Sequence, residues 1–447
     1  MNMNAREKST LVLGLGRTGY SVVAHLAARG DAGRITAADS RERAPCAARV
    51  RERFPRVRVI TGRLPFERMA QFDRVVASPG VEVARAPAVR VIGDIELFAE
   101  SARAPVIAIT GSNGKSTVTT LVADMLAAAG KRVLRGGNLG TPALELLEDA
   151  DAGEAPDFYV LELSSFQLEN TYSLSAAAAS VLNISADHLD RHGDLANYTA
   201  IKARVLRGAS CVRVLNRDDP ASRELLRAHP DAVTFGLGRP NARHYGISDE
   251  HLCRGEARLA PLSRLRLQGA HNAANALAAL ALAEAAGVAP EGDALEALLA
   301  HRGLEHRCEL AAEIGGVKWI NDSKGTNVGA SLAALGGLRG ELIWIGGGIG
   351  KGADFTPLRA PLRERARAAV LFGRDAAQIE TAIAGATEVL RARDLAHAVE
   401  IAAARARAGQ AVVFSPACSS FDMFKDYAER GRAFKKLAGA LAEGGAR

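Results

Sequence analysis

The residues best equipped for chemistry stand together in Thr110-Gly-Ser-Asn-Gly-Lys-Ser-Thr117. Backbone N–H groups of such a glycine-rich loop point at anionic oxygens. The helix start that follows adds its dipole, Lys115 a point charge, and Ser116 a hydroxyl for Mg²⁺. Gly111, Ser112, Asn113, Gly114, Lys115, Ser116 and Thr117 are therefore candidate phosphate-binding residues, with ATP as the expected ligand. The usual phosphate-loop pattern has a glycine where Ile109 stands here, so the loop built on Gly111 is tighter. A plain Gly-Asn-Gly turn before a helix is the bland alternative.

Further polar residues recur at the ends of apolar runs. Phe158-Tyr-Val-Leu-Glu162 places a carboxylate at a strand end, where Mg²⁺ needs one opposite the loop hydroxyl. A carboxylate paired with a nearby lysine would look the same. Ser180-Val-Leu-Asn-Ile-Ser-Ala-Asp-His-Leu-Asp190 presents Asp187, His188 and Asp190, and Lys202 follows in a helical stretch. Taken bare, His188 reads as a polar loop residue and Lys202 as a solvated helix face. Asn272 and Asn275 share one face near the start of an Ala-rich helix. Asparagine is a poor mid-helix choice, which favours a ligand role, although Asn272 also suits a helix cap. Near the N-terminus, Gly14, Gly16 and Gly19 form a full G-x-G-x-x-G after a strand, and the next strand ends on Asp39. That is a dinucleotide fingerprint, and it also fits another ligand with a diphosphate and a ribose or uracil group.

The elements that must position these residues alternate strand and helix. Val106-Ile-Ala-Ile109 reads as a buried parallel strand, with a helix opening at Ser116. Val75-Val-Ala-Ser-Pro-Gly80 is another strand, ending in a turn at the sheet edge that carries Gly14–Gly19, and Gly136-Gly-Asn-Leu-Gly140 follows a strand of the second domain as a ligand-facing loop. Strands at Val317–Asn321, Leu342–Gly346, Ala369–Phe372 and Ala411–Phe414, with helices between, make a further doubly wound unit. The fold class is α/β in three domains. Residues 1–100 are expected as a Rossmann-like domain, 101–305 as a P-loop ATPase-like domain with a mostly parallel sheet, and 306–447 as a second Rossmann-like domain.

At 447 residues the chain exceeds one core. Hydrophobic content of 48% and charged content of 24% are those of a globular protein. The net charge of +7 comes from scattered arginines without interleaved aromatics, which argues against a nucleic-acid surface. The five cysteines form no Cys-x-x-Cys pair and read as reduced thiols. The first residues run straight into a strand without the apolar region of a signal peptide, and the most apolar helix is too short to span a bilayer. The expectation is a cytoplasmic monomer with no nucleic-acid or membrane partner.

These motifs together resemble the Mur ligases of peptidoglycan synthesis. The resemblance is carried by 110–117, Gly-Gly-Asn at 136–138, Leu-Glu-Leu-Ser-Ser-Phe-Gln at 161–167, Asp-His-Leu-Asp at 187–190, His-Asn-x-x-Asn at 271–275 and His-Arg at 306–307. Asn-Asp-Ser-Lys-Gly-Thr-Asn at 321–327 and Ser-Pro-Ala-Cys-Ser-Ser-Phe-Asp-Met-Phe-Lys at 415–425 are similar to the branch that adds D-glutamate. The Asp-Asn-Pro-Arg of diaminopimelate- or lysine-adding relatives is absent.

The resemblance implies that the first domain holds a UDP group rather than a nicotinamide, with Gly16, Thr18, Asp39, Ser40 and Arg41 around it. Asn138 and Ser164 would meet the muramoyl-alanine part. Lys115, Glu162, His188 and Lys202 would be catalytic, with Ser116 and Glu162 at one Mg²⁺. His188 and a carbamylated Lys202 would serve a second Mg²⁺, since an ammonium repels the ion and a carbamate supplies anionic oxygens. Asn272, Asn275, Arg307 and Asp322 would hold the nucleotide. Lys324, Thr326, Lys351, Ser420, Phe421 and Tyr427 would line a D-glutamate pocket. Two departures stand out. Cys308 replaces the family's usual aromatic, which implies looser packing beside the nucleotide, and Ile349 sits where a related enzyme has Asp.

The implied reaction is ATP-driven amide formation between UDP-N-acetylmuramoyl-L-alanine and D-glutamate through an acyl phosphate. Three other readings are compatible with parts of the chain. A folylpolyglutamate synthetase shares the loop chemistry, a nicotinamide oxidoreductase would use Gly14–Gly19, and an ATP-gated interaction protein would use the loop alone.

Overall fold

The computed structural model describes residues 8–83, 89–151, 153–267, 269–338 and 340–444. Gln268, which opens the asparagine-bearing helix motif, lies outside them, as do the first seven residues of the chain. Three sheets follow one another along the sequence.

The first is a parallel sheet of β1 (Thr10–Leu13), β2 (Ile35–Asp39), β3 (Arg58–Thr61), β4 (Arg74–Ala77) and β5 (Val91–Ile92), ordered β3-β2-β1-β4-β5. The strand order reverses at β1, so the turn after β1 and the tip of β2 face one crevice. The helix Arg17–Ala28 crosses so close to the end of β1 that a Cβ on Gly19 would lie 1.8 Å from the Gly14 carbonyl oxygen. That contact explains the last glycine of the fingerprint.

The second sheet contains β6 (Val106–Thr110), β7 (Val133–Gly137), β8 (Phe158–Glu162), β9 (Ala178–Val181), β10 (Val212–Asn216), β11 (Val233–Phe235), β12 (Tyr245–Ser248), β13 (His251–Arg254) and β14 (Ala257–Pro261). Their order is β14-β13-β12-β11-β10-β9-β6-β8-β7. Pairing is parallel from β7 to β12, and β12, β13 and β14 form an antiparallel meander on the far edge. β6 lies inside the sheet, its end registered against both neighbours as Ile109 opposite Glu162 and Thr110 opposite Val181. The phosphate loop, Glu162 and the segment leading to His188 therefore leave adjacent strands at one edge.

The third sheet holds β15 (Glu309–Ile314), β16 (Val317–Asn321), β17 (Leu342–Gly347), β18 (Ala366–Phe372), β19 (Glu388–Arg391) and β20 (Ala411–Phe414), ordered β15-β16-β20-β17-β18-β19. Only β15 runs antiparallel to its neighbour. With β16, β20 and β17 side by side, the loops after Asn321, Phe414 and Gly347 emerge together.

The first two units share one buried apolar cluster, from Val22, Leu26 and Phe98 to Leu146, Tyr159 and Leu161. Within it, the Phe98 and Tyr159 rings meet edge to face at 5.0 Å. The third unit keeps separate cores on the two faces of its sheet. The helix Ala270–Ala285 is buried on nearly every side, and its alanines admit the helix Lys115–Ala128 at close range. Truncating its enclosed Leu277 or Leu280 would cost about 2–5 kcal/mol. Its N-cap is Gly269, so Asn272 sits inside the helix and does not cap it. Among the described residues no helix is long and apolar enough to cross a membrane.

Candidate active site

The phosphate loop is held from below by the segment after β9. Ser112 N–H donates to the Asn183 carbonyl at 2.9 Å, Asn113 N–H to Asn183 Oδ1 at 2.9 Å, and Asn183 Nδ2 back to the Asn113 carbonyl at 3.0 Å. Ser112 Oγ donates to the Ser185 carbonyl at 3.0 Å. Lys115 Nζ donates to the carbonyls of Gly111 and Ser112 at 2.8 and 2.9 Å, which closes the loop on itself. Gly114 has φ +83°, and a Cβ there would stand 2.4 Å from Asn275 Oδ1. The sharp left-handed turn thus lets the helix Ala270–Ala285 approach the loop. Asn275 Nδ2 donates to Asn272 Oδ1 at 3.1 Å, so the two asparagines form one buried polar face under the loop. Thr117 lies buried in the helix beyond.

A cavity of about 190 Å³ opens above the loop. Ser112, Asn113, Gly114, Lys115, Asn138, Glu162, Ser164, His188, Lys202, Arg307, Lys324 and Thr326 all line it. Glu162, 3% exposed, is the electrostatic centre. The Ser116 hydroxyl donates to its Oε2, and Asn138 Nδ2 donates to its Oε1 at 2.6 Å. Burial would raise its pKa, but Lys115, these two donors and Arg307 outweigh that and hold the carboxyl below its ordinary value. Lys115 is lowered by burial, with Glu162 opposing the shift.

Lys202 is 1% exposed, which removes the solvated-face reading. Its Nζ donates to Gly111 O at 2.9 Å and Thr110 Oγ1 at 3.3 Å, and lies 4.7 Å from the centre of the Tyr198 ring. Burial, and then repulsion by Lys115, drive its pKa well below that of an ordinary lysine. His188 adopts φ 55° at the start of the short helix Leu189–His192 and packs against Phe166 at 4.7 Å between ring centres. Burial lowers its pKa against the pull of Asp187, which favours the neutral imidazole.

The third unit closes the cavity. Arg307 Nη2 donates to Ser116 Oγ at 2.6 Å. Asp322 is buried, accepts from Ser415 Oγ at 2.6 Å and Cys308 N–H at 3.2 Å, and has its pKa pushed up to about 6 by burial. Lys324 Nζ sits 4.1 Å from the centre of the Tyr427 ring, and burial lowers its pKa to about 8. Lys351, at φ 53°, directs its ammonium to Asp187 Oδ1 at 3.8 Å. Ser420 is buried and Phe421 is 70% exposed. Lys351, Ser420, Phe421 and Tyr427 stand outside the immediate lining, whereas Lys324 and Thr326 are in it. Buried Arg430 ties the two loops together, donating from Nη2 to the carbonyls of Ser323 and Cys418 at 2.8 and 3.0 Å. Ile349 pairs with Ser419 through backbone N–H donors in both directions, so its side chain is not what joins these loops.

A second cleft of about 520 Å³ lies between the first two units, lined by Gly14, Gly16, Thr18, Asp39, Ser40, Arg41, Gly80 and Asn138 among others. Asp39 is fully engaged. It accepts from Leu15 N–H at 2.7 Å and from Arg41 Nε and Nη2 at 2.9 and 2.8 Å. The Arg41 guanidinium holds its pKa at about 2. Its carboxylate therefore shapes the loops and presents Arg41. Asn138 lines both cavities, so the cleft and the phosphate-loop site adjoin there.

Sequence reasoning named Asp187 without giving it a part and missed other lining residues. Asp187 accepts from Asn327 Nδ2 at 3.0 Å and so joins the second and third units. Tyr198 lies one helical turn before Lys202, a spacing that offered a signal. Asn327 caps the helix Val328–Gly337, which hides its second role in the sequence. Gln167 and Phe166 followed Ser164 in the quoted motif without an assigned part.

For Mg²⁺, the donors beside the phosphate loop are a hydroxyl and one carboxylate. Among the described residues no group of three or more His, Cys, Asp or Glu gathers as a metal cage. The set fits Mg²⁺, which takes one or two carboxylates and completes its shell with phosphate and water oxygens. The Lys202 amine as it stands offers no anion, so a second ion there requires its modification.

Comparison with known proteins assigns residues 8–94 to the Mur ligase MurD-like N-terminal domain, 109–283 to the Mur ligase middle domain and 306–418 to the Mur ligase glutamate ligase domain. The chain is 49% identical over 441 residues to a UDP-N-acetylmuramoylalanine–D-glutamate ligase of Nitrosococcus oceani, covering 96% of each. It is 47% identical to the protein of that name from Pseudomonas fluorescens, over 99% of this chain and 100% of the relative. In fold it is similar to the UDP-N-acetylmuramate-alanine ligase of Thermotoga maritima, with a TM-score of 0.58 at 18% identity over 97% and 99% of the two chains. A Mycobacterium tuberculosis folylpolyglutamate synthase bound to ADP gives a TM-score of 0.58 at 20% identity, over 77% of this chain and 93% of the other.

Proposed function

The chain belongs to the Mur ligase family, and on that premise we propose that it joins D-glutamate to UDP-N-acetylmuramoyl-L-alanine using ATP, in peptidoglycan precursor synthesis. One observation carries this reading within the molecule. The cleft between the first two units adjoins the phosphate-loop cavity at Asn138, and Asn138 is bonded to Glu162. A substrate with its nucleotide in the cleft would extend its far carboxylate past Asn138 to the γ-phosphate.

The division of labour follows. Residues 1–100 would hold the UDP part, with Gly16, Thr18, Ser40 and Arg41 in contact and Asp39 behind them. Residues 101–305 would bind ATP, and 306–447 D-glutamate. Ser116 and Glu162 would hold one Mg²⁺, and His188 with a carbamylated Lys202 a second. The ions would supply charge neutralisation on the phosphates. The burial of the Lys202 amine, which drives its pKa well below that of an ordinary lysine, supports carbamylation. The amine lone pair can attack carbon dioxide, and loss of one proton leaves the carbamate.

In the reaction, an alanine carboxylate oxygen attacks the γ-phosphorus and ADP departs. The D-glutamate amine then attacks the acyl carbon, phosphate leaves, and the amine gives up a proton. Lys115 and Arg307 stabilise charge on the transferring group, while Lys324, Thr326, Lys351 and Ser420 are suited to the D-glutamate carboxylates. The same reading puts the enzyme in the cytoplasm as a monomer.

The test is a coupled phosphate-release assay. Release is expected only with ATP, UDP-N-acetylmuramoyl-L-alanine and D-glutamate together. Equal turnover with L-glutamate or meso-diaminopimelate, or turnover of tetrahydrofolate with L-glutamate, would overturn the proposal.

A further inference from the structure

The helix Val328–Gly337 of the third unit begins beside the phosphate loop of the second. Its N-cap, Asn327, is buried, and Asn327 Oδ1 accepts from Ala330 N–H at 2.8 Å. A backbone N–H only donates, so this bond fixes the amide: the oxygen belongs to the helix, and the NH₂ must face elsewhere. It faces the second unit, with Nδ2 at 3.0 Å from Asp187 Oδ2 and 3.5 Å from Asn113 Oδ1. The first turn of the helix lies against the same segment. A Cβ on Gly329 would stand 2.6 Å from Ser185 Oγ, so only a glycine lets the helix start this close.

The acceptor is held as firmly as the donor. Asp187 Oδ1 takes the His188 N–H at 3.1 Å, which leaves Oδ2 for Asn327. Lys351 Nζ stands 3.8 Å from Oδ1. Asp187 thus meets two separate segments of the third unit, the helix start next to Thr326 and the glycine-rich loop after β17. Both segments carry residues suited to the D-glutamate carboxylates, whereas Asp187 leaves the second unit beside the phosphate loop.

We propose that Asn327 is a positioning residue for the amino-acid substrate: its bond to Asp187 docks the third unit so that Lys324, Thr326 and Lys351 meet D-glutamate beside the acyl phosphate. The inference rests on the function proposed above and adds the bond that sets the two substrates in register.

A helix cap alone does not need an amide. Asp and Ser cap a helix about as well as Asn, and a carboxylate suits the positive end of the helix dipole. Only the bond to Asp187 requires a donor at this position, because a carboxylate accepts and never donates. Capping and docking therefore separate in a single substitution.

The experiment uses the full-length enzyme, with steady-state kinetics for each substrate and hydrogen exchange of the backbone at 183–188 and 328–331. Asn327→Asp keeps the cap but sets two carboxylates face to face. It is expected to leave the Tm nearly unchanged and to raise the KM for D-glutamate about tenfold to 100-fold, with the KM for the UDP-sugar within about twofold. Exchange in both segments should quicken. Asn327→Ser also caps, is too short to reach Asp187, and should raise the same KM about tenfold. Adding Asp187→Asn to Asn327→Asp reverses the bond: the amide at 187 keeps its oxygen on the His188 N–H and turns its NH₂ to the carboxylate at 327. This double variant should recover kcat/KM for D-glutamate at least about fivefold over Asn327→Asp and slow the exchange again. An unchanged KM for D-glutamate in Asn327→Asp, which a mere cap predicts, or a double variant no better than Asn327→Asp alone, overturns the inference. If the unmodified enzyme ligates no D-glutamate, the functional reading falls, and the exchange rates alone decide whether this bond docks the units.

Discussion

Arg307 Nη2 lies 2.6 Å from Ser116 Oγ, so a guanidinium from the third unit touches the hydroxyl that also donates to Glu162. The nucleotide site is thereby assembled across a unit boundary, and the third unit has cores of its own. Arg307→Ala removes a charge-assisted contact of the sort usually worth about 1.5–3 kcal/mol. Its kcat/KM for ATP is expected to fall roughly tenfold to 100-fold, with little change in Tm because nothing in either core is lost. Arg307→Lys should recover only part, as an ammonium cannot reproduce the planar fork. Steady-state kinetics with varied ATP decide this.

Asn138 offers a sharper contrast. Its Nδ2 donates to Glu162 Oε1 at 2.6 Å while its other surface faces the cleft. Asn138→Ala should weaken turnover about tenfold by leaving that oxygen unpaired. Asn138→Asp places a second carboxylate against Glu162 and should cost about 100-fold or more at neutral pH. Equal losses in the two variants would mean that the link to Glu162 is irrelevant.

For Lys202, loss of the side chain in Lys202→Ala should abolish ligation while leaving the fold intact. A short carboxylic acid such as formate, added at high concentration, should partly restore activity by standing in for the carbamate. Full activity in the variant, read by phosphate release, would remove the modified lysine from the account.

Burial lowers the pKa of Lys324 to about 8, so its ammonium is charged below that pH and lost above it. Glutarate carries both carboxylates of the amino acid without its amine. Its inhibition constant against D-glutamate should therefore rise as pH passes from 7 to 9, by about tenfold at the upper end. The Lys324→Gln variant should bind glutarate weakly and show a flat profile. A flat profile in the unmodified enzyme would contradict the role given to Lys324.

Much of this was legible in the chain because local signals coincide with strand ends. The apolar run of β6 breaks into the phosphate loop, β8 ends on Glu162, and β2 ends on Asp39, so strand pattern and chemistry point to the same positions. Contacts across long sequence separation were not legible. Nothing near Asp187 shows that it will accept from Asn327, and nothing near Ser116 shows that Arg307 will reach it. The bare helix position of Lys202 suggested solvent, yet the helix Leu195–Ala203 turns that face inward over the loop. The antiparallel meander β12–β14 escaped notice because its strands are short and carry no motif. The cleft itself was anticipated from the glycines, but the full commitment of Asp39 to Leu15 and Arg41 emerges only from three-dimensional packing.

The central claim is that the phosphate loop activates the alanine carboxylate of the UDP-sugar rather than hydrolysing ATP for another purpose. The most direct measurement supplies UDP-N-acetylmuramoyl-L-alanine with oxygen-18 in that carboxylate, together with ATP and D-glutamate, and analyses the released phosphate by mass spectrometry. Transfer of a labelled oxygen into the phosphate, in step with amide formation, is the predicted result. Phosphate free of label would contradict the account.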